Sequence, residues 1–214
     1  MASKSLSDLR SIVRIRGDYE NARRFTDAAI DTEIQAAFAE FYELIADTNE
    51  GYWDTSSTVS TVANQPYVAL PADAWRVREI DRLDGSEYAR LRRVEVSDSI
   101  TLLTSTDEPV GYRLSARGAE LYETPNAVYT LRVIYTPQAP ALSGARDWYN
   151  GWEEYVVYGA LMRLALREER STGDWERQLA VQRERIVRGA SHRSASEPPR
   201  LTNHDALDDR RWWR

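Results

Sequence analysis

The chain has 214 residues, of which 42% are hydrophobic and 29% charged, a balance suited to a globular protein that buries about 70% of its extended surface. With no cysteine and only two histidines, His192 and His204, disulfides, thiolate catalysis and Cys-ligated metal sites are excluded. A net charge of −6 and a pI near 5.1 give no whole-chain cationic footprint for nucleic acid, and no apolar run approaches the ~18 residues of a membrane span.

Met1 to Ser5 has no apolar core of the kind an export signal needs, so export by that route is not expected. The basic side chains are 27 arginines and Lys4, a set suited to planar, bidentate contacts. Seven tryptophans and twelve tyrosines are many for this length, and large amphipathic rings serve both cores and interfaces.

In chain order, Ser5-Leu6-Ser7-Asp8 reads as an N-cap with an acid three residues on. Leu6, Leu9, Ile12 and Val13 then predict a short helix ending near Gly17. Thr26-Asp27 opens a second helix, with Ile30, Ile34, Ala37, Phe38, Phe41 and Ile45 spaced at threes and fours. After Gly51 the period shortens. Thr58–Val62, Tyr67–Leu70 and Trp75–Ile80 favour strands, and Asp84-Gly85 signals a hairpin into Tyr88–Val96. A short helix is expected around Ser97–Leu103. Tyr112–Leu114 and Glu120–Tyr122 flank a tight turn, and Val128–Tyr135 supplies the last strand.

Helical spacing returns at Asp147 through Trp148, Trp152, Tyr155, Val156, Gly159, Met162 and Leu166, with Gly159-Ala160 permitting close approach of another helix. Ser171–Asp174 starts a thinner, more charged helix marked by Trp175, Leu179, Gln182 and Ile186. Between Ser191 and Asp209 no apolar period survives, as in an extended or disordered arm. The expected fold class is α+β. An antiparallel helical bundle would be built from an N-terminal pair (residues 1–50) and a C-terminal pair (141–190), with a small β-rich domain inserted (51–140) and an extended arm (191–214).

Catalytic templates find little support. Both histidines lie in the arm, away from any nucleophile they would serve, and no phosphate-cradling glycine motif occurs. Glu153-Glu154 beside Trp152, and Glu168-Glu169, resemble the paired acids of carbohydrate-acting enzymes. Neighbouring helix positions do not face each other, however. Arginine groups at Arg14/Arg16, Arg23-Arg24, Arg90/Arg92-Arg93 and Arg183/Arg185/Arg188 are interleaved with acids. No enzyme activity, cofactor or metal is expected.

The arm ends Asp208-Asp209-Arg210-Arg211-Trp212-Trp213-Arg214. Two adjacent tryptophans on a polar tether, stiffened by Pro198-Pro199, suit an aromatic anchor for another surface. A terminus packed back on its own helices is the alternative.

The chain resembles the head-to-tail adaptor (connector) proteins of tailed bacteriophages over roughly residues 5 to 190. The resemblance rests on Phe25-Thr26-Asp27, Tyr67 to Asp73 followed by the Trp75–Ile80 strand, Gly111–Leu114, Glu120–Pro125, Val128–Pro137 and Trp152–Leu166, in that order. Glu120 departs from the family pattern, which has an apolar residue there. The resemblance implies a non-enzymatic structural protein of the virion neck, assembled in the host cytoplasm into a ring, commonly of twelve copies. Its implied partners are the portal protein, neighbouring copies, the next neck or tail protein, and viral DNA passing through without specific binding. No membrane is involved. The docking arm would comprise Leu201 to Arg214, with Leu201, Arg210, Arg211, Trp212, Trp213 and Arg214 as contact candidates. Such a ring would carry on the order of −70 charges, and an acidic lining would let DNA slide. Asp47, Asp54, Asp84 and Asp98, at loop or strand ends, are the candidates to face that channel. Another neck or tail-completion protein is the nearest alternative, and a carbohydrate-acting enzyme with paired acids a remote one.

Overall fold

In the computed structural model, which describes residues 2–20, 25–95, 105–148 and 151–191, strand β1 (Ala2–Lys4) leads into helix α1 (Leu6–Gly17) through a capping box. The Asp8 amide donates to Ser5 Oγ at 3.2 Å while the Ser5 amide donates to Asp8 Oδ2 at 2.7 Å, satisfying two otherwise orphaned donors. Helix α2 (Asp27–Thr48) is capped by Thr26, as its sequence predicts, and buries all six residues of the expected stripe.

Ten strands follow among the described residues: β2 (Thr55–Ser60), β3 (Tyr67–Val68), β4 (Ala74–Asp84), β5 (Glu87–Arg90), β6 (Arg92–Arg93), β7 (Thr106–Asp107), β8 (Gly111–Ser115), β9 (Gly118–Tyr122), β10 (Thr124–Pro125) and β11 (Thr130–Pro137). Strand β12 (Arg146–Trp148) then precedes helices α3 (Glu153–Arg167) and α4 (Gly173–Ser191). The fold is α+β, and it divides into two compact units. One is drawn from Met1–Glu50 with Leu142–Arg214, the other from Gly51–Ala141.

In the first unit α2 packs along α3, and both α1 and α4 pack on α3. A Cβ at Gly159 would lie 3.0 Å from Ala37 Cβ, so this glycine sets how near α2 and α3 come. Phe38, Phe41, Trp148, Trp152 and Tyr155 form a connected aromatic cluster with ring centroids 5.6–6.2 Å apart. Two side-chain amides fasten distant segments of this unit. Gln35 donates to and accepts from the Leu142 backbone, both at 3.1 Å, and Asn49 donates to Ala190 O at 2.9 Å in a buried setting.

The expected helix start at Asp147 is corrected. Trp148 lies in β12, antiparallel to β1, and the helix begins only after Gly151, whose φ of 78° breaks helical continuity. Trp148 still reaches the core, from a strand. Helix α4 buries only Ile186 and Ala190, a thin seam as its composition predicts.

In the second unit one sheet has the strand order β2-β11-β4-β5 and the other β3-β9-β8-β6, with β10 and β7 paired separately. Ile80, Leu121, Leu131 and Val133, each at or below 1% exposure, anchor the core these strands enclose. The predicted Tyr88–Val96 strand is two strands. After β5 the chain changes sheets at buried Leu91, and β6 pairs parallel with β8. Gly111 permits that close pairing, since a Cβ there would sit 2.9 Å from Arg92 O. The short helix expected at Ser97–Leu103 lies outside the described residues.

Candidate functional site

Three of the four acids proposed from sequence are described, each in a different setting. Asp47 is exposed on α2, beside a groove of about 330 Å³ that Glu40, Glu43, Tyr155 and Arg183 line. Asp54 accepts a hydrogen bond from Thr136 Oγ1 at 2.7 Å and lies 3.5 Å from Arg78 Nε, ties that hold the start of β2 against β11 and β4. Asp84, at the end of β4, keeps 70% of its side chain in solvent, 3.8 Å from Arg82. Asp98, the two histidines and the arm residues Leu201, Arg210, Arg211, Trp212, Trp213 and Arg214 lie outside the described residues.

The carboxylate pairs resolve into ion pairs. Glu153, buried at the first turn of α3, takes Lys4 Nζ at 2.8 Å, while its neighbour Glu154 takes the two-pronged guanidinium of Arg16. That hydrogen bond holds the Arg16 guanidinium above its ordinary range. The two acids are thus directed to different cations, as i, i+1 helix geometry demands. Glu168 pairs with Arg170 at 3.2 Å. No metal-holding group of His, Asp and Glu occurs among the described residues.

Most of the arginine groups are likewise engaged. Arg14 donates to Asp27, Arg10 straddles Asp27 and Asp31, and Arg188 pairs with Glu184. The Arg14 hydrogen bond holds the Asp27 carboxyl below the usual range for an aspartate.

The Arg90/Arg92-Arg93 group is arranged differently. With Arg78, Glu79 and Tyr112 it lines a cleft of about 460 Å³, at the place where the edge strand β5 of one sheet hands over to the edge strand β6 of the other. Glu79 pairs with Arg90, and Arg78 leans toward Asp54. Arg93 is exposed and has no ion pair among the described residues. Tyr112 is 2% exposed. Sequence reasoning registered the arginine run but not Arg78 or Tyr112, because nothing local in sequence connects strands that meet only through the sheets.

A protein-family model described as SU10 adaptor protein matches residues 4–201. No curated protein matches the chain.

Proposed function

This chain belongs to the SU10 adaptor protein family, a phage head-tail adaptor family, and on that premise we propose that it is a ring-forming adaptor joining the portal to the tail. The carrying observation is the match over residues 4–201, which takes in both described units and the beginning of the arm.

In this reading the four described helices act as a bundle from which the β unit is inserted, and copies assemble side by side, commonly as twelve. Leu201 and Arg210 to Arg214 form the docking arm, with Trp212 and Trp213 seated in a pocket on the portal. Tryptophan and arginine are the side chains that most often dominate such contacts. The next neck or tail protein binds below, and DNA passes through the ring. Asp47 and Asp84, both exposed, are the acids best placed to repel a passing phosphate backbone. Asp54, tied to Thr136 and Arg78, serves the β unit first.

The test is removal of residues 196–214. The truncated chain should keep the helical signal and melting temperature of the parent while losing its affinity for purified portal. Portal binding undiminished by the truncation contradicts the arm's role.

A further inference from the structure

The two rims of the sheet β2-β11-β4-β5 match each other. Among the described residues β2 pairs only with β11, and β5 only with β4. β2 reads Thr-Ser-Ser-Thr-Val-Ser, with no charge, no proline and an unbroken register against β11. It thus lacks the charges, prolines and bulges that ordinarily blunt an edge strand. Ser56, Thr58 and Ser60 are exposed, and so are all four residues of β5.

Hydrogen-bond alternation fixes which backbone groups face outward. The Thr61 amide donates to Tyr129 O at 3.0 Å, one step beyond β2 in the same register. Positions 55, 57 and 59 therefore bond to β11, while Ser56, Thr58 and Ser60 turn their amides and carbonyls to the open side. At the other rim the Leu91 amide donates to Ile80 O at 2.9 Å. Positions 87 and 89 therefore bond to β4, and Tyr88 and Arg90 face out.

These outward sets also share a face. Thr58, Arg132, Asp81 and Arg90 stand in register across the sheet, whereas the next pair, Val59 and Leu131, turns to the core. Tyr88 and Arg90 are engaged within the sheet: the Arg132 guanidinium lies 4.0 Å from the Tyr88 ring centroid, and Arg90 pairs with Glu79. Strand direction alternates across all four strands, so β2 and β5 run opposite ways. A second copy in the same orientation therefore brings its β2 antiparallel to β5, with outward amides meeting outward carbonyls. A sheet with an odd number of strands would meet its copy in parallel. Pairing of β2 with another β2 is two-fold and stops at two copies. Pairing of β5 with β2 is head-to-tail and continues until a ring closes.

We propose that β2 of one copy adds to β5 of the next, with Thr58 opposite Tyr88, so that the sheets join around the ring and leave no edge open. Tyr88, 40% exposed, gains a β-branched cross-strand neighbour. The inference rests on the ring-forming adaptor reading and names the contact between its copies.

The chain has no cysteine, so site-directed cross-linking tests this cleanly. The full chain carrying Thr58→Cys and Tyr88→Cys is assembled on purified portal and treated with a short bis-maleimide. A ladder of dimers, trimers and higher products is expected, and neither single variant should cross-link. Thr58→Pro gives a second arm. The Thr58 amide faces out, so the change removes no bond to β11 and the fold should persist, which circular dichroism verifies. It should raise the concentration for half-maximal ring formation about tenfold, the effect of one lost hydrogen bond at every junction. A ring seen by electron microscopy without the ladder overturns this contact and leaves the adaptor reading standing, as does unimpaired assembly of Thr58→Pro. Dimers from Thr58→Cys alone at the yield of the pair assign β2 to itself and overturn it too. Failure of the parent chain to form any ring on the portal overturns both.

Discussion

Across the β8–β9 hairpin, Arg113 and Glu120 stand directly opposite each other, the carboxylate 6% exposed and the guanidinium 30%. Tyr67 donates a further hydrogen bond to Glu120 at 3.1 Å, so this buried acid is satisfied on both oxygens. Removing one partner from a buried pair strands the other charge, whereas replacing the acid by an apolar side chain leaves only a half-wet arginine. Arg113→Ala should therefore lower the melting temperature more than Glu120→Leu, and the reverse order in differential scanning would contradict this account. A second residue carries a sharper constraint. Gly118 has φ 121°, and a Cβ there would lie 2.3 Å from Val68 O. Gly118→Ala should cost more than about 1 kcal/mol in denaturant unfolding, while the same change at Gly144, which has open space around it, should be close to neutral.

Among the elements, α2 and α3 approach closely at Gly159. Gly159→Val drives a side chain into Ala37 and should cost about 1–3 kcal/mol through overpacking, read as a lower urea midpoint with an unchanged slope. Helices α1 and α2 are fastened differently, by Arg10 and Arg14 on Asp27 and Asp31. Because the Asp27 carboxyl titrates below its usual 3.8 in the folded chain, its contribution is complete above that value and is lost as the pH falls through the lower, folded one. Thermal melts should be flat from neutrality to about pH 5 and decline below about pH 4. Asp27→Asn should remove part of that acid decline.

These same elements show what sequence carries. Helices α1 and α2 are legible because capping chemistry at Ser5 and Thr26 and the 3.6-residue stripe agree. Strand β12 is not, since three residues hold no period. Trp148 fits the spacing of Trp152 and Tyr155 by coincidence, while its true neighbour is β1, more than 140 positions away. The β5–β6 break is hidden for a like reason: β6 is defined by parallel pairing with β8, and by a glycine at 111 whose need for space is visible only once the strands meet. Of the candidate sites, the sequence marks exposed Asp47 and Asp84 no differently from Asp54, which the fold draws into its own hydrogen bonds.

For the molecule as a whole, the family match points to a structural phage adaptor protein. The described helices include none long and apolar enough to cross a membrane. In the proposed ring, the net charge of −6 per copy would keep DNA from adhering by withholding the cations that counterion release requires. Charge reversal of Asp47 and Asp84 to lysine should leave assembly intact and slow genome ejection, measured as DNA release from triggered particles. Unaltered release would remove these two acids from the channel. The central claim, that this chain is the adaptor between portal and tail, is tested most directly by cryo-electron microscopy of the neck of mature particles carrying a tagged copy. The account predicts a closed ring of the tagged chain in contact with the portal; a neck without the tag, or tag density confined to another part of the particle, would contradict it.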